Sequence, residues 1–226
     1  MDKSKSLYII DGSSYIFRAY FGIRQFLSTS KGFPTNALYG FINMLQKVVK
    51  DEKPDFLCVA FDSKEKTFRY DIYPDYKANR DAPPEDLAKQ FPYFGPLVEA
   101  YNISSICVPG FEADDIIGTL ALKGSKAGYR VVIVSGDKDM MQLVSPKVEM
   151  LDTMKNKRFG IKEVEEKFGV PPEKVIEVMG LMGDSSDHIP GVKGVGPKTA
   201  TELIQKYGSI DGLYKRIEEI EKKKLK

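Results

Sequence analysis

Three apolar, β-branched runs along the chain each close on an acid: "LYIID" at Asp11, "FLCVAFD" at Asp62 and "RVVIVSGD" at Asp137. A near-continuous apolar run is what a strand buried on both faces requires, as in a parallel sheet. Between these runs, apolar positions recur at helical spacing over about 36–50, 86–101 and 113–127. Strand and helix in alternation predict an α/β fold, a central and mostly parallel sheet flanked by helices. Ligands of such sheets bind beyond the carboxyl ends of the strands. Asp11, Asp62 and Asp137 all fall there.

The texture changes near residue 160. "GIKEVEEKFGVPPEKVIEVMGLMGD" reads as two short helices parted by the turn "GVPP", followed by the Gly-rich "IPGVKGVGPKTA" and a further helix. The pattern predicts an α/β core over 1–160 and a helical region over 161–226. The tail "RIEEIEKKKLK" reads as a charged helix that stops without a cap. The stretch 64–84, "KEKTFRYDIYPDYKANRDAPP", has no clear apolar period and is rich in charge and tyrosine. It reads as a long excursion from the second strand, mobile until something binds it.

Composition narrows the functions. The net charge is only +2, yet Lys and Arg gather at 64–80 and 193–226, so a basic face can stand beside an acidic pocket. No run of about 18 apolar residues is present, so no membrane span is expected. The apolar stretch at the N-terminus is too short for a signal peptide. Cys58 and Cys107 sit in apolar sequence and read as reduced core residues of a cytoplasmic protein. With two cysteines and one histidine, His188, zinc held by Cys and His is excluded. His188 itself reads as a surface or packing residue.

The acids carry the chemistry. "GFEADDIIGTLA" places Glu112, Asp114 and Asp115 in the first turn of a helix. Glu112 and Asp115 lie roughly 60° apart around the axis, with Asp114 about a quarter turn further. Capping needs one or two acids, not three. "GDKDMMQLV" adds Asp137 and Asp139, and "MGDSSDHIPG" adds Asp184 and Asp187. So many carboxylates at one edge raise one another's pKa unless positive charge is present. An all-oxygen donor set selects hard divalent ions, Mg²⁺ or Mn²⁺. Two such ions about 4 Å apart can activate water, hold a scissile phosphate and stabilise the leaving oxygen. The expected chemistry is phosphodiester hydrolysis.

These residues resemble the flap endonuclease family, and within it the 5′ nuclease domains of bacterial DNA polymerases I. The matching motifs are "IIDGSSYIFRAY", "TNALYGF", "VAFDSKEKTFR", "YKANR", "GFEADDIIGTLA", "VSGDKDMMQLV" and "GDSSDHIPGVKGVGPKTA", in family order from about 7 to 215. The resemblance implies one metal near Asp11, Asp62, Glu112, Asp114 and Asp115, and a second near Asp137, Asp139, Asp184 and Asp187. It implies that 64–92 forms a helical arch or clamp, whose Lys77 and Arg80 address the scissile phosphate. Tyr76 then either stacks on an unpaired base or packs, and Arg69 and Arg18 are further phosphate contacts. It implies that "GVKGVGPKTA" is a helix-hairpin-helix (H3TH) loop. There Lys193, Gly194, Gly196, Lys198 and Thr199 grip duplex DNA through the backbone, with a bridging K⁺. The partners implied are branched or 5′-ended DNA, as flaps, nicks or RNA-primed ends, bound by a monomer in primer removal and repair. Family domains usually continue some tens of residues further, which leaves open a free-standing nuclease or a piece of a longer protein.

Two other functions compete. A DNA-junction binding module without catalysis would carry the same basic elements, but the intact acid set argues against it. A phosphatase of the haloacid-dehalogenase type wants a second Asp two residues after its nucleophile, and position 13 is Ser13.

Overall fold

The computed structural model describes residues 4–23, 25 and 27–220. The three apolar runs form strands as expected: β1 Ser6–Asp11, β2 Phe56–Phe61 and β4 Arg130–Val134. Three further strands complete the sheet, β3 Ser104–Cys107, β5 Val148–Asp152 and β6 Lys157–Phe159. The order across the sheet is β3-β2-β1-β4-β5-β6, and only the β5–β6 pair is antiparallel. Chain order runs outward from β1 through β2 to β3, then returns to place β4 on the other side of β1. The crevice of such a sheet opens at this reversal, beyond the carboxyl ends of β1 and β4.

Alternation along the central strands fixes both faces. Tyr8 and Ile10 of β1 point to one side and Ile9 to the other, all three buried. The first side packs on α1 Gly12–Gly22, α2 Asn36–Glu52 and α5 Phe91–Ala100, through Tyr15, Phe41, Leu45 and Phe94. The second packs on α6 Ala113–Lys126 and runs without a break into the C-terminal helices. Those helices are α7 Ile161–Phe168, α8 Val175–Met182, α9 Pro197–Tyr207 and α10 Ile210–Lys215. Val164, Val178, Ala200 and Ile204 join the same apolar cluster as Ile9 and Ile133. The helical region is thus packed directly against the sheet's second layer.

Four expectations are corrected. The helix over 86–101 is two, α4 Glu85–Ala88 and α5, because Pro92 lacks the N–H that a continuing helix needs and instead sits in the first turn of α5. The excursion 64–84 is folded down in turns around one short helix, α3 Arg69–Ile72. Cys58 is buried but Cys107 is exposed, because β3 is the edge of the sheet. The chain past α10 continues as a 3₁₀ turn, Ile217–Glu219, and the end of the tail lies outside the described residues.

Candidate metal and nucleic-acid site

The strand ends deliver the acids. Asp11 is the last residue of β1 and the N-cap of α1. It is 4% exposed, and its carboxylate accepts hydrogen bonds from the Ser14 N–H (2.9 Å) and the Ser135 hydroxyl (2.7 Å). Asp62 follows β2. It accepts the Ala113 N–H at the start of α6 (2.7 Å), and its own N–H bonds to Ser13 Oγ (3.0 Å). Asp137 opens a 3₁₀ turn, Lys138–Leu143, and accepts the Asp139 N–H (2.9 Å). Asp184 lies in the loop after α8, in a short antiparallel bridge with Ile189, and accepts the Ser186 N–H (2.8 Å).

These carboxylates feel one another. Burial pushes the Asp114 carboxyl up to about 8, helped by the charges of Asp11, Asp137 and Asp62. Burial also raises Asp11 to about 6 against its two hydrogen bonds, with Asp62 and Asp137 adding repulsion. Asp139 is raised to about 7 by burial and by Asp137 and Asp184. Asp184 moves the other way. Burial disfavours its charge, but the Ser186 N–H and Lys138, 3.6 Å away, outweigh that. The acids therefore form a row, Asp62, Asp11, Asp114, Asp137, Asp139 and Asp184. Lys77 near Asp114, and Lys138 near Asp139 and Asp184, offset its charge only in part.

The remaining three acids differ. Arg69 forms a two-pronged pair with Asp115 at 2.8 and 2.9 Å, which holds the Asp115 carboxyl below its usual range. Glu112 accepts hydrogen bonds from Lys77 Nζ (3.0 Å) and from the Tyr76 hydroxyl (2.9 Å). Asp187 is paired with Arg80 and accepts a second contact from the Tyr76 hydroxyl at 2.8 Å. The excursion 64–84 is thus pinned onto the site by its own cations. The Lys77 N–H bonds to the Asp187 carbonyl (2.9 Å), Asn79 Nδ2 to the Ser185 carbonyl (2.7 Å), and His188 Nδ1 to the Asp75 carbonyl (2.9 Å).

The geometry revises one reading, decides between two for Tyr76 and places Arg18. Lys77 has φ +57°, so Lys77 and Arg80 do not share a helical face; a turn brings both onto acids. Tyr76 is 5% exposed with its phenol between two carboxylates, so it packs here and offers no face for stacking. Arg18 stands over the loop after β4, 3.6 Å from the buried Asp152, with one guanidinium nitrogen buried and without a hydrogen bond. Sequence reasoning also passed over Ser135, Ser13 and Lys138. A serine two residues before a strand-end acid, in "VSGD", was the available signal for the first.

A cavity of about 550 Å³ opens between the pinned segment and the acids, lined by Arg69, Tyr76, Glu112, Asp114, Asp115 and Asp139 among others. Among the described residues, no three His, Cys, Asp or Glu side chains stand close enough to form a metal cluster as they are. Repelling carboxylates turn toward available donors. Here those are Arg69, Lys77, Arg80, Lys138 and backbone N–H groups. The chemistry still fits a hard cation: the donors are all oxygen, and Asp139 Oδ1 is buried without a hydrogen-bond partner.

Further along the chain, the turn before α9 carries the basic, Gly-rich residues. Gly194 has φ +83° and Gly196 is the N-cap of α9. Lys193, Gly194, Gly196 and Lys198 are exposed, and Thr199 is half-buried. The first backbone N–H groups of a helix lack internal partners and suit a phosphate. Among the described residues, no helix is long and apolar enough to cross a membrane.

Known proteins match this chain in sequence and in fold. The family model for the 5′-3′ exonuclease N-terminal resolvase-like domain matches residues 6–169, and that for the 5′-3′ exonuclease C-terminal SAM fold matches 170–226. A DNA polymerase I of Rhizobium leguminosarum is 47% identical over 231 residues, 99% of this chain and 23% of the relative. The chain therefore spans about a quarter of the length of that relative. A 5′-3′ exonuclease of Aquifex aeolicus is 45% identical over 218 residues, 96% of this chain and 75% of the relative. The bacteriophage T5 D15 flap endonuclease, in a crystal with DNA and metal ions, has a TM-score of 0.80 over 98% of this chain and 82% of its own. At 22% identity it speaks to the fold.

Proposed function

The chain belongs to the 5′-3′ exonuclease family, and from that premise we propose that it is a structure-specific, divalent-metal-dependent 5′ nuclease acting on DNA. It trims 5′ ends and cuts 5′ flaps, as in primer removal and repair, and leaves a 3′-hydroxyl and a 5′-phosphate. The observation that carries this reading is the gathering of Asp11, Asp114, Asp137 and Asp139 at the reversal of the sheet, where burial and mutual repulsion hold Asp11, Asp114 and Asp139 above their usual range. Asp11, Asp62, Glu112, Asp114 and Asp115 would hold one Mg²⁺ or Mn²⁺, and Asp137, Asp139, Asp184 and Asp187 the second. Bound there, the two ions supply an activated water and offset charge on the phosphate.

The chain's own residues do the rest. Lys77 and Arg80 rest on Glu112 and Asp187. These same two cations reach the scissile phosphate when the acids take up metal, and neutralise its oxygens as charge develops. That release also frees Tyr76, now held between the same two acids. Arg69 and Arg18 add positive charge around the path of the unpaired strand. Lys193, Lys198, Thr199 and the N–H groups after Gly194 and Gly196 hold duplex phosphates, with K⁺ on the turn's carbonyls. Such contacts recognise shape and not sequence. The protein acts as a monomer in the cytoplasm on branched, nicked or RNA-primed 5′ ends.

A labelled 5′-flap substrate tests this. Cleavage is expected with Mg²⁺ and not in chelator, and Asp115→Asn should lose cutting while keeping DNA binding. No cleavage, or equal cleavage in chelator, rejects the reading.

A further inference from the structure

Ser135 follows β4 and is 0% exposed. Its hydroxyl is used twice: it donates to Asp11 Oδ2 at 2.7 Å and accepts the Asp137 N–H at 3.0 Å. Asp137 in turn accepts the Asp139 N–H at 2.9 Å. One buried hydroxyl therefore ties the carboxylate at the end of β1 to the loop that carries the next two acids.

The other side of that loop is held as well. A Cβ on Gly136 would lie 1.7 Å from the Arg18 guanidinium, so the guanidinium lies directly against the Gly136 backbone. Arg18 reaches the buried Asp152 of β5 at 3.6 Å. The loop Ser135–Asp137 is gripped by a hydroxyl on one side and a guanidinium on the other.

Packing does not explain Ser135. Alanine would fill nearly the same volume without burying a hydroxyl, and burial of a polar group is costly unless it is bonded. Both bonds of Ser135 go to groups of the acid row. Asp11 and Asp137 repel each other, and left alone each would rotate toward another donor. A donor on Asp11 and a fixed main chain at Asp137 keep both at the rim.

We propose that Ser135 is a positioning residue of the nuclease site, fixing the Asp11 carboxylate relative to the main chain of Asp137 so that both acids stay at the rim for the divalent cations. This rests on the metal-dependent reading given above. Outer partners of ligating groups typically change metal affinity about 10–100-fold when removed.

The test titrates Mn²⁺ into the DNA-free protein by calorimetry, beside thermal melts and flap-DNA binding in chelator. Ser135→Ala should weaken Mn²⁺ about tenfold, with melting and DNA binding in chelator little changed. Ser135→Cys keeps the volume and is a poor donor, so it should behave like Ser135→Ala. Ser135→Thr keeps the hydroxyl and should bring Mn²⁺ affinity most of the way back. Unaltered Mn²⁺ affinity in Ser135→Ala overturns the proposal. So does a loss shared alike by all three variants and tracking a fall in melting temperature, since Ser135 would then be a packing residue. Failure of the unaltered protein to bind Mn²⁺ at all would instead remove the functional reading, and the proposal with it.

Discussion

Arg69 and Asp115 meet in a two-pronged pair, Nη1 to Oδ2 at 2.9 Å and Nη2 to Oδ1 at 2.8 Å, across 46 residues of chain. The same Asp115 oxygen accepts the Glu112 N–H at 3.0 Å, so one carboxylate ties the base of the excursion to the first turn of α6. Arg69→Ala should cost about 1–2 kcal/mol in chelator at pH 7. The Asp115 pKa is depressed on folding. Its contribution is therefore fully present above the unfolded value of 3.8 and is lost as pH falls through the lower folded value. Thermal melts of both proteins should differ evenly from pH 5 to 8, and the difference should shrink as pH falls below 3.8. A difference that persists undiminished at pH 3 contradicts the pairing.

The acid row gives the opposite sign. Asp11, Asp139 and Asp114 have folded pKa values raised to about 6, 7 and 8. The folded chain then holds protons that the unfolded chain has released, so stability falls as pH climbs from 3.8 through these values. In chelator the melting temperature should drop between pH 5 and pH 8. Asp114→Asn removes the most strongly raised carboxylate, raised first by burial, and should gain roughly 1–2 kcal/mol at pH 8, about 2–4 °C for each kcal/mol, with a smaller gain at pH 5. Melts across that range check both statements.

Lys77 is placed to change partners. It contacts Glu112 at 3.0 Å and lies 4.0 Å from Asp187. Lys77→Ala should lower the single-turnover rate of flap cleavage about 10²–10³-fold, the scale of losing one group that stabilises developing charge. Binding of the same flap in Ca²⁺ should change little. Equal losses in rate and affinity would make Lys77 a binding residue only.

Lys198 follows Pro197 in the first turn of α9 and is exposed. Lys198→Ala should weaken duplex DNA alike for unrelated sequences and reduce the salt slope of log K by about 1. Gly194, at φ +83°, cannot take a Cβ without strain. Gly194→Ala should weaken duplex binding while leaving Mn²⁺ affinity intact, as read by anisotropy and calorimetry.

The sheet's centre was legible because the middles of β1, β2 and β4 are buried on both faces and so are apolar there. Its edges were not. β3 is the four-residue "SSIC" at an exposed edge, and β5, "VEMLD", carries Glu149 in its middle to meet Arg130 at 2.8 Å and Arg158 of β6. Neither stretch makes an apolar run. The nine acids were picked out by spacing at three strand ends, one helix start and the turn "GDSSD". What spacing could not give was their division into a set held by the cations of the excursion, Glu112, Asp115 and Asp187, and a row that those cations do not pair. That division depends on how 64–84 folds back, and Lys77, Arg80 and Tyr76 find their partners 35–111 residues away. Ser135 went unread because serine is common after strands; only the buried hydroxyl between two acids gives it meaning.

Anomalous diffraction from a crystal soaked in manganese tests the central claim most directly. Manganese peaks are expected beside the carboxylates of Asp11, Asp114 and Asp137, with Lys77 and Arg80 drawn off Glu112 and Asp187. A rim without manganese, its side chains still paired as they are here, would contradict the account.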